Sequence, residues 1–447
     1  MTAQVIPSRT NAEVALAEAF ASEKAKLPGD DRVARLREEA FAAFARAGLP
    51  HRRIESWHYT DLRALMRDAL PVVSAPSEAQ RRSLLKDTGS LPTQSLVLVD
   101  GVFAPELSAP LPDGVKVTPL AGALAHGEPK LIESLIASWA EADDAVLALN
   151  AALMQDGIVI DVAPGAKIAA PIHLVYASVA NTPSARFSRS LVRIGAGADV
   201  RINEMSLGAG GRVGQTNNVL IFEIGDEAQV GHTAALTDTR PGSMRLETFM
   251  VKIGAGAEFD SFALITGEGL VRRQIFKLYE GPDAKASLRG VSLLRGREHA
   301  DTTLFVRHAA TGCEGRQTFR YILDEEATGI FQGKVIVSPG AQKTDGKMLA
   351  KALMLSEEAT MNSRPELEIF ADDVICGHGA TCGGLNADQL FYLRSRGLME
   401  SEAEALLLEA FANELVDDIG HEDLVASYRA EIADWLARRV ASRWSAA

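Results

Sequence analysis

The stretch IGAGADV, residues 194–200, is one copy of a phrase that returns along the chain: VAPGAKI at 162–168, IGDEAQV at 224–230, IGAGAEF at 253–259 and, more weakly, YEGPDAKASL at 279–288. Acidic versions stand at 323–331 (LDEEATGIF) and 355–361 (LSEEATM). An alanine marks each copy: Ala166, Ala198, Ala228, Ala257, Ala284, Ala327 and Ala359. Successive markers lie 27 to 32 residues apart, except for one longer interval after Ala284 that has room for a missed turn. A period of that length marks a repeat architecture. Each unit is a turn followed by a Val/Ile/Leu/Phe-rich run, with no helix between units, so neither paired-helix repeats nor strand–helix–strand crossovers fit. A β-solenoid fits, each coil stacking its strands on the coil before. Glycine serves the corners because it takes positive φ without penalty, and alanine is small enough to pack inside the bend. A β-sandwich with Gly-rich hairpins is the competing arrangement.

On the N-terminal side, residues 11 to about 48 are expected to be helical: Val33, Leu36, Ala40 and Phe44 repeat at helical spacing, and Gly48 followed by Pro50 supplies a stop. In ESWHYTDLRAL (55–65), Trp57 and Tyr59 are candidate core anchors. SLVLVDGVF (95–103) reads as strand, tight Asp-Gly turn and second short strand. Residues 129 to 155 read as helix, ending before Asp156-Gly157. After residue 385 helical periodicity returns. Ser401 with Glu404 is a capping-box pattern. Leu408, Phe411, Leu415 and Ile419 form one apolar stripe that ends at Gly420, and a second helix carries Val425, Tyr428, Ile432 and Trp435 on one face. Two such helices either cap the solenoid's open end or dock a partner. Three segments result: a mainly helical region with a short β-hairpin at 1–155, a β core at 156–385, and a helical region at 386–447.

A chain of 447 residues is too long for one ordinary compact core. Hydrophobic content of 47% and charged content of 23% place it among folded, soluble proteins. A net charge of −13 repels nucleic acid and anionic lipid, so a protein partner or small ligand is expected, with no nucleic acid and no membrane. The N-terminal stretch lacks the basic-then-apolar order of a signal peptide. Three cysteines, Cys313, Cys376 and Cys382, make no disulfide framework. A reducing compartment is expected, most simply the cytoplasm.

Nucleotide and hydrolase motifs are missing. GAQKTDGKM (340–348) has neither the spacing nor the hydroxyl of a phosphate loop, and no dinucleotide fingerprint, nucleophile elbow or zinc-helix motif occurs. The chemistry concentrates in ICGHGATCGG (375–384). On an extended strand Cys376 and His378 share a face about 7 Å apart, and Gly377 and Gly379 leave the backbone approachable. A thiolate and an imidazole so placed can reach toward one metal ion, although structural zinc wants four ligands. Cys382 supplies a third if the chain turns at Gly379; otherwise another chain completes the set. A buried cysteine beside a satisfied histidine is the plain alternative, and a Cys–His nucleophile pair lacks an orienting third residue. His173, His232, His299 and His308 are scattered without metal-ligand spacing, and Cys313 reads as structural. Arg289, Arg295, Arg297 and Arg307 read as a solvated solenoid face.

The segments ESWHYTDLRAL (55–65), LNAALMQDGIVIDV (149–162), RPELEIFADDVICGHGAT (364–381) and LFYLRSRGL (390–398) together resemble the SufB/SufD family of the SUF iron–sulfur cluster assembly system. The C-x-H-G-A-T run and NADQLFYLRSRGL (386–398) are most similar to its SufD branch. The similarity runs from about residue 50 to the C-terminus. It implies a mainly β fold: a right-handed parallel β-helix core flanked by an N-terminal α/β region and C-terminal helices. It further implies a non-catalytic scaffold that pairs with SufB through the β-helices, with a homodimer as the alternative pairing. The C-terminal helices would engage a SufC ATPase, which carries the nucleotide site. A transient iron–sulfur cluster would form at the SufB–SufD interface, with no cluster tightly bound by the isolated chain. His378 matches the proposed ligand of the family motif, and Cys376 matches its cysteine; Cys382 lies outside that motif. Two other readings stand beside this one. A β-helix polysaccharide-active enzyme would have to use the 289–307 strip, where only Glu298 and Asp301 are carboxylates. A self-contained zinc protein would use Cys376, His378 and Cys382.

Overall fold

From Ile158 onward the copies of the repeated phrase are corners, and the runs between them are strands that alternate between two sheets. Ser184–Ile194 lies in one sheet, Asp199–Leu207 in the other, and Gly214–Ile224 back in the first. The structure, a computed structural model, describes residues 9–88, 91–126, 129–136, 144–207, 212–267 and 269–445. Among these the sheets hold ten and nine strands, and within the solenoid each strand pairs in parallel with the next but one in sequence. The chain is therefore a parallel β-solenoid. Stacking is in register: Ile224, Ile253, Tyr279, His308 and Val337 lie one above another. Side chains alternate between lumen and outer face, and the lumen is filled by such columns of buried apolar residues.

The corners explain the repeated phrase residue by residue. Its last strand position turns inward. The first glycine must lie against the preceding corner: a Cβ on Gly281 would sit 2.0 Å from the Ala255 nitrogen. Before Ala166, Ala198, Ala228, Ala257 and Ala284 the residue ahead of the marker takes the left-handed conformation, as Gly197 does at φ 66, which glycine adopts without cost; in the acidic copies the left-handed residue is Glu325, two positions before Ala327, and none stands just before Ala359. The marker then packs inside, and Ala198, Ala228, Ala257 and Ala284 are fully buried. The long interval after Ala284 does hold a missed corner. Cys313, also fully buried, fills the marker place 29 residues on. Ala327 precedes a strand of the nine-stranded sheet, whereas Ala284 precedes one of the ten-stranded sheet. The markers thus belong to both edges of the solenoid rather than to one ladder.

The N-terminal region starts both sheets. Ser95–Val99 pairs in parallel with Ile172–Ala177, and Val115–Pro119 pairs antiparallel with Ile158–Val162. Asp100 and Gly101, both at positive φ, make the turn from Ser95–Val99 to Val102–Phe103. The helix expected over 11–48 is two helices, Asn11–Glu23 and Asp31–Ala47. The break arises because the Asp30 carboxylate accepts from the Val33 N–H at 2.9 Å and so caps a new helix. Residues 129–155 likewise hold two helices, Pro129–Ile136 and Ala145–Leu153; residues 137–143 lie outside the described part. Trp57 is the anchor expected, fully buried beneath the Arg272 guanidinium at 3.7 Å, with its indole N–H donating to Asp144 at 2.7 Å. Arg272 in turn pairs with Asp301, both buried, on the outer face of the nine-stranded sheet. Tyr59 is only half-buried.

The C-terminal helices Glu400–Val416 and Glu422–Ser445 lie on the outer face of the ten-stranded sheet. Leu408, Leu415, Ile419, Tyr428, Ile432 and Trp435 pack there against Phe262, Leu264, Val291, Leu293 and Ile322. They sit on the flank, not over the end of the solenoid. The first of these helices is capped two residues earlier than its sequence suggests. The Glu402 carboxylate accepts from the Met399 N–H at 2.9 Å, and Glu404 instead pairs with Arg439. The arginine strip is not a uniformly solvated face. Arg289 is buried, pairs with Asp260, and donates to the carbonyls of Leu415 and Asp418 at 2.9 Å, fastening the helices; Arg297 remains exposed. Among the described residues no helix is long and apolar enough to cross a membrane.

Candidate functional site

The last coil is uncovered. Thr360–Ile369 ends the nine-stranded sheet and Ile375–Gly383 ends the ten-stranded sheet, so each has a strand neighbour on one side only. A free strand edge is a row of backbone donors and acceptors ready to pair with another chain. Apolar side chains surround it: Ile369, Phe370 and Ile375 are 42%, 60% and 67% exposed.

Ile375–Gly383 is placed by in-register pairing with Asp345–Met354, which sets Cys376 over Gly346, His378 over Met348 and Cys382 over Ala352. Met348 and Ala352 line the lumen, and register partners in a parallel sheet share a face. Cys376, His378 and Cys382 therefore face the lumen of a coil on which, among the described residues, no further strand is stacked. His378 and Cys382 are exposed, and Cys376 is half-buried against the core. Burial pushes the Cys376 thiol up, so binding a metal there releases a proton. His378 has no hydrogen-bond partner among the described residues.

The strand stays extended through Gly379, because the backbone pairing with Asp345–Met354 holds it so. Cys376 and Cys382 consequently stand about 20 Å apart at about 3.3 Å per residue. The turn that a self-contained zinc site required is absent. Among the described residues no three His, Cys, Asp or Glu side chains are arranged to hold a metal ion.

Most of the other histidines are satisfied structural groups. His232 bonds Glu204 at 3.0 Å and Ser261 at 2.9 Å inside the lumen, and His173 bonds Asn203 at 3.1 Å. His299 meets Thr60 at 3.0 Å, and Thr60 also donates to Asp301. That trio has the members of a hydrolytic triad, yet its carboxylate is tied to Arg272 and its role is to staple the 55–60 segment to the sheet. Glu298 and Asp301 are both buried, so the 289–307 strip presents neither of its carboxylates to a polysaccharide.

His308 differs from these. It is fully buried, stacked on Tyr279 at 4.1 Å, and neither ring nitrogen has a partner. Burial, together with Lys277, pushes it down to about 3. Sequence spacing concealed this residue, since it lies in the opposite sheet from Cys376. The signal was the glycine pair Gly315 and Gly346, which precede Cys376 on one column at coil spacing. The helix that follows the open coil, Ala387–Ser395, buries no side chain and displays Phe391 and Tyr392 at 74% and 57% exposure.

Two family descriptions match the chain: "SUF system FeS cluster assembly, SufBD core domain" over residues 176–411, and "SufBD protein N-terminal region" over residues 11–174. An iron–sulfur cluster assembly SufBD family protein of Synechocystis is 32% identical over 389 residues, spanning 83% of this chain and 84% of that protein. The iron–sulfur cluster assembly protein SufD of Escherichia coli is 27% identical over 395 residues, spanning 88% and 90%. SufD of Bacillus subtilis is 27% identical over 278 residues, spanning 61% and 62%. With a two-sheet parallel solenoid, matches that run from residue 11 to residue 411, and a relative 32% identical over 83% of the chain, the chain belongs to the SufBD family of SUF-system iron–sulfur cluster assembly proteins.

Proposed function

We propose that the chain is a SufD-type scaffold subunit whose open end joins a SufB-type solenoid, and that a nascent iron–sulfur cluster, the substrate, is held at that seam. The observation that carries this reading is the uncapped strand Ile375–Gly383 with its exposed His378. Edge-to-edge joining would continue both sheets and cover Phe370 and Ile375. It would also enclose a site that one chain leaves half-built. His378 donates a ring nitrogen, and Cys376, once deprotonated, donates sulfur. The partner strand supplies the remaining ligands. Exclusion of water at the seam protects a labile cluster.

Phe391 and Tyr392 on the unburied helix Ala387–Ser395, next to the open coil, suit a docking contact for a SufC-type ATPase. This assigns the nucleotide chemistry to that partner and a non-catalytic role to this chain. ATP-driven movement of the partner would then open and close the seam.

Co-expression with SufB-type and SufC-type subunits tests the reading. The three should purify together, and His378→Ala should leave the complex intact while its reconstituted cluster content falls at least tenfold. Phe391→Ala with Tyr392→Ala should release the ATPase alone. Recovery of the chain with neither partner, or a full cluster complement in His378→Ala, would refute it. Cys376 labelling that ignores nucleotide in the complex would remove the gating step.

A further inference from the structure

The column above Cys376 narrows as it approaches the open end. Phe259, Ala286, Gly315, Gly346 and Cys376 follow one another in register. The large side chains facing this taper are Tyr279 and His308, which stack on each other. Gly346 leaves a gap. At the position its Cβ would occupy, the nearest atoms are Cys376 Sγ at 3.5 Å and His308 Nε2 at 3.8 Å. His308 Nε2 also lies 3.1 Å from the corresponding point on Gly315. A sulfur and an unpartnered imidazole nitrogen, the latter on a fully buried residue, therefore line one small space in the lumen.

We propose that the gap over Gly346 binds one soft or borderline cation, ferrous iron or zinc, between Cys376 Sγ and His308 Nε2, one coil inside the seam where His378 stands. Sulfur with imidazole is the donor pair such ions select. Cys376 releases its proton as the metal–sulfur bond forms. The ion would sit away from the Gly346 Cβ point, toward the two donors, and closing to bond lengths of about 2.3 Å and about 2.1 Å asks both the Cys376 and the His308 side chains to shift toward it. Two protein donors leave coordination positions open, as a site that hands an ion on requires and a structural zinc site does not. His308 already faces the gap, held by the Tyr279 ring. The inference rests on the reading of Cys376 as a metal-facing thiol, but it needs no partner subunit, so the two readings fail separately.

The test uses the full chain, reduced and anaerobic, carrying Cys382→Ser to remove the exposed thiol. It is titrated with Co²⁺, and thiolate-to-cobalt absorption is followed. One equivalent should give the band, and Cys376→Ala should abolish it. Gly346→Ala fills the gap at ordinary contact distances and outside the left-handed region, so it should fold normally and bind at least tenfold more weakly. His308→Phe, which keeps the stacked ring, should weaken binding about 10–100-fold; circular dichroism and the melting midpoint report whether it folds. His378→Ala should bind within twofold of the parent. Unchanged binding by Gly346→Ala would overturn the proposal. So would a band lost in His378→Ala but kept in His308→Phe, or no thiolate–cobalt band in the parent.

Discussion

Lys277 offers the sharpest test of the lumen's electrostatics. Its ammonium is buried without a carboxylate partner among the described residues; it donates to Tyr279 Oη at 2.9 Å and to the Gln317 amide oxygen at 3.1 Å. Burial pushes it from 10.5 down to about 7. At about 1.4 kcal/mol per pH unit, that drop is worth about 5 kcal/mol. Between pH 7 and 10.5 the unfolded chain keeps a proton that the folded chain has released. Stability from this group therefore rises with pH across that window and is flat below it. Lys277→Met removes the charge and keeps the length, while Tyr279 retains its bond to the Glu314 carbonyl at 2.9 Å. Losing two hydrogen bonds offsets about 1–2 kcal/mol, so the variant should be about 3 kcal/mol more stable at neutral pH. Its advantage should shrink by about 1.4 kcal/mol for each pH unit and be nearly gone two units higher. Urea unfolding of both proteins with a chelator present, across about pH 6.5 to 9.5, measures the difference; other titrating groups cancel in it. A difference that does not change with pH would show that Lys277 carries no depressed titration, and the account of the lumen as a dry, low-dielectric column would be wrong.

Other outcomes follow from single contacts. Gly281→Ala should cost about 3 kcal/mol or more in a melt, because its Cβ would meet backbone of the preceding corner. Arg289→Met should strip the C-terminal helices of their fastening, at about 3 kcal/mol, and expose them to limited proteolysis; unchanged cleavage would contradict the assigned role. Maleimide labelling followed by mass spectrometry should modify Cys382 first and Cys376 more slowly, with faster reaction as pH rises. Cys313 should react only after unfolding.

The solenoid was legible because its corners obey local rules. The Gly-Ala phrases combine a small residue for close approach, a left-handed position and a small marker, and these leave a signature in a single chain. Cys313 broke the alanine pattern yet satisfies the same volume limit, which is why one corner escaped notice. The Ser401–Glu404 pattern misplaced a helix start because Arg439 competes for Glu404, a contact made across the fold. The burial of Arg289 was hidden for a similar reason: its partners come from residues 415 and 418. At the site, the Cys376–His378 pair is a two-residue spacing and could be read directly. His308 could not, since it approaches Gly346 from another coil and another sheet.

Alternation of strands between the sheets makes this body a ruler marked in whole coils. Deleting residues 285–313 would remove one strand from each sheet and shorten the stack by one strand spacing, about 4.8 Å. Every strand beyond the deletion would keep its sheet and its inward face, and the edge strand Ile375–Gly383 would be carried along unaltered. Deleting half a coil would instead send each later strand to the wrong sheet. The distance from the Trp57 clamp to the open edge can thus change only in fixed increments, which makes coil number the natural variable for adjusting where that edge presents itself.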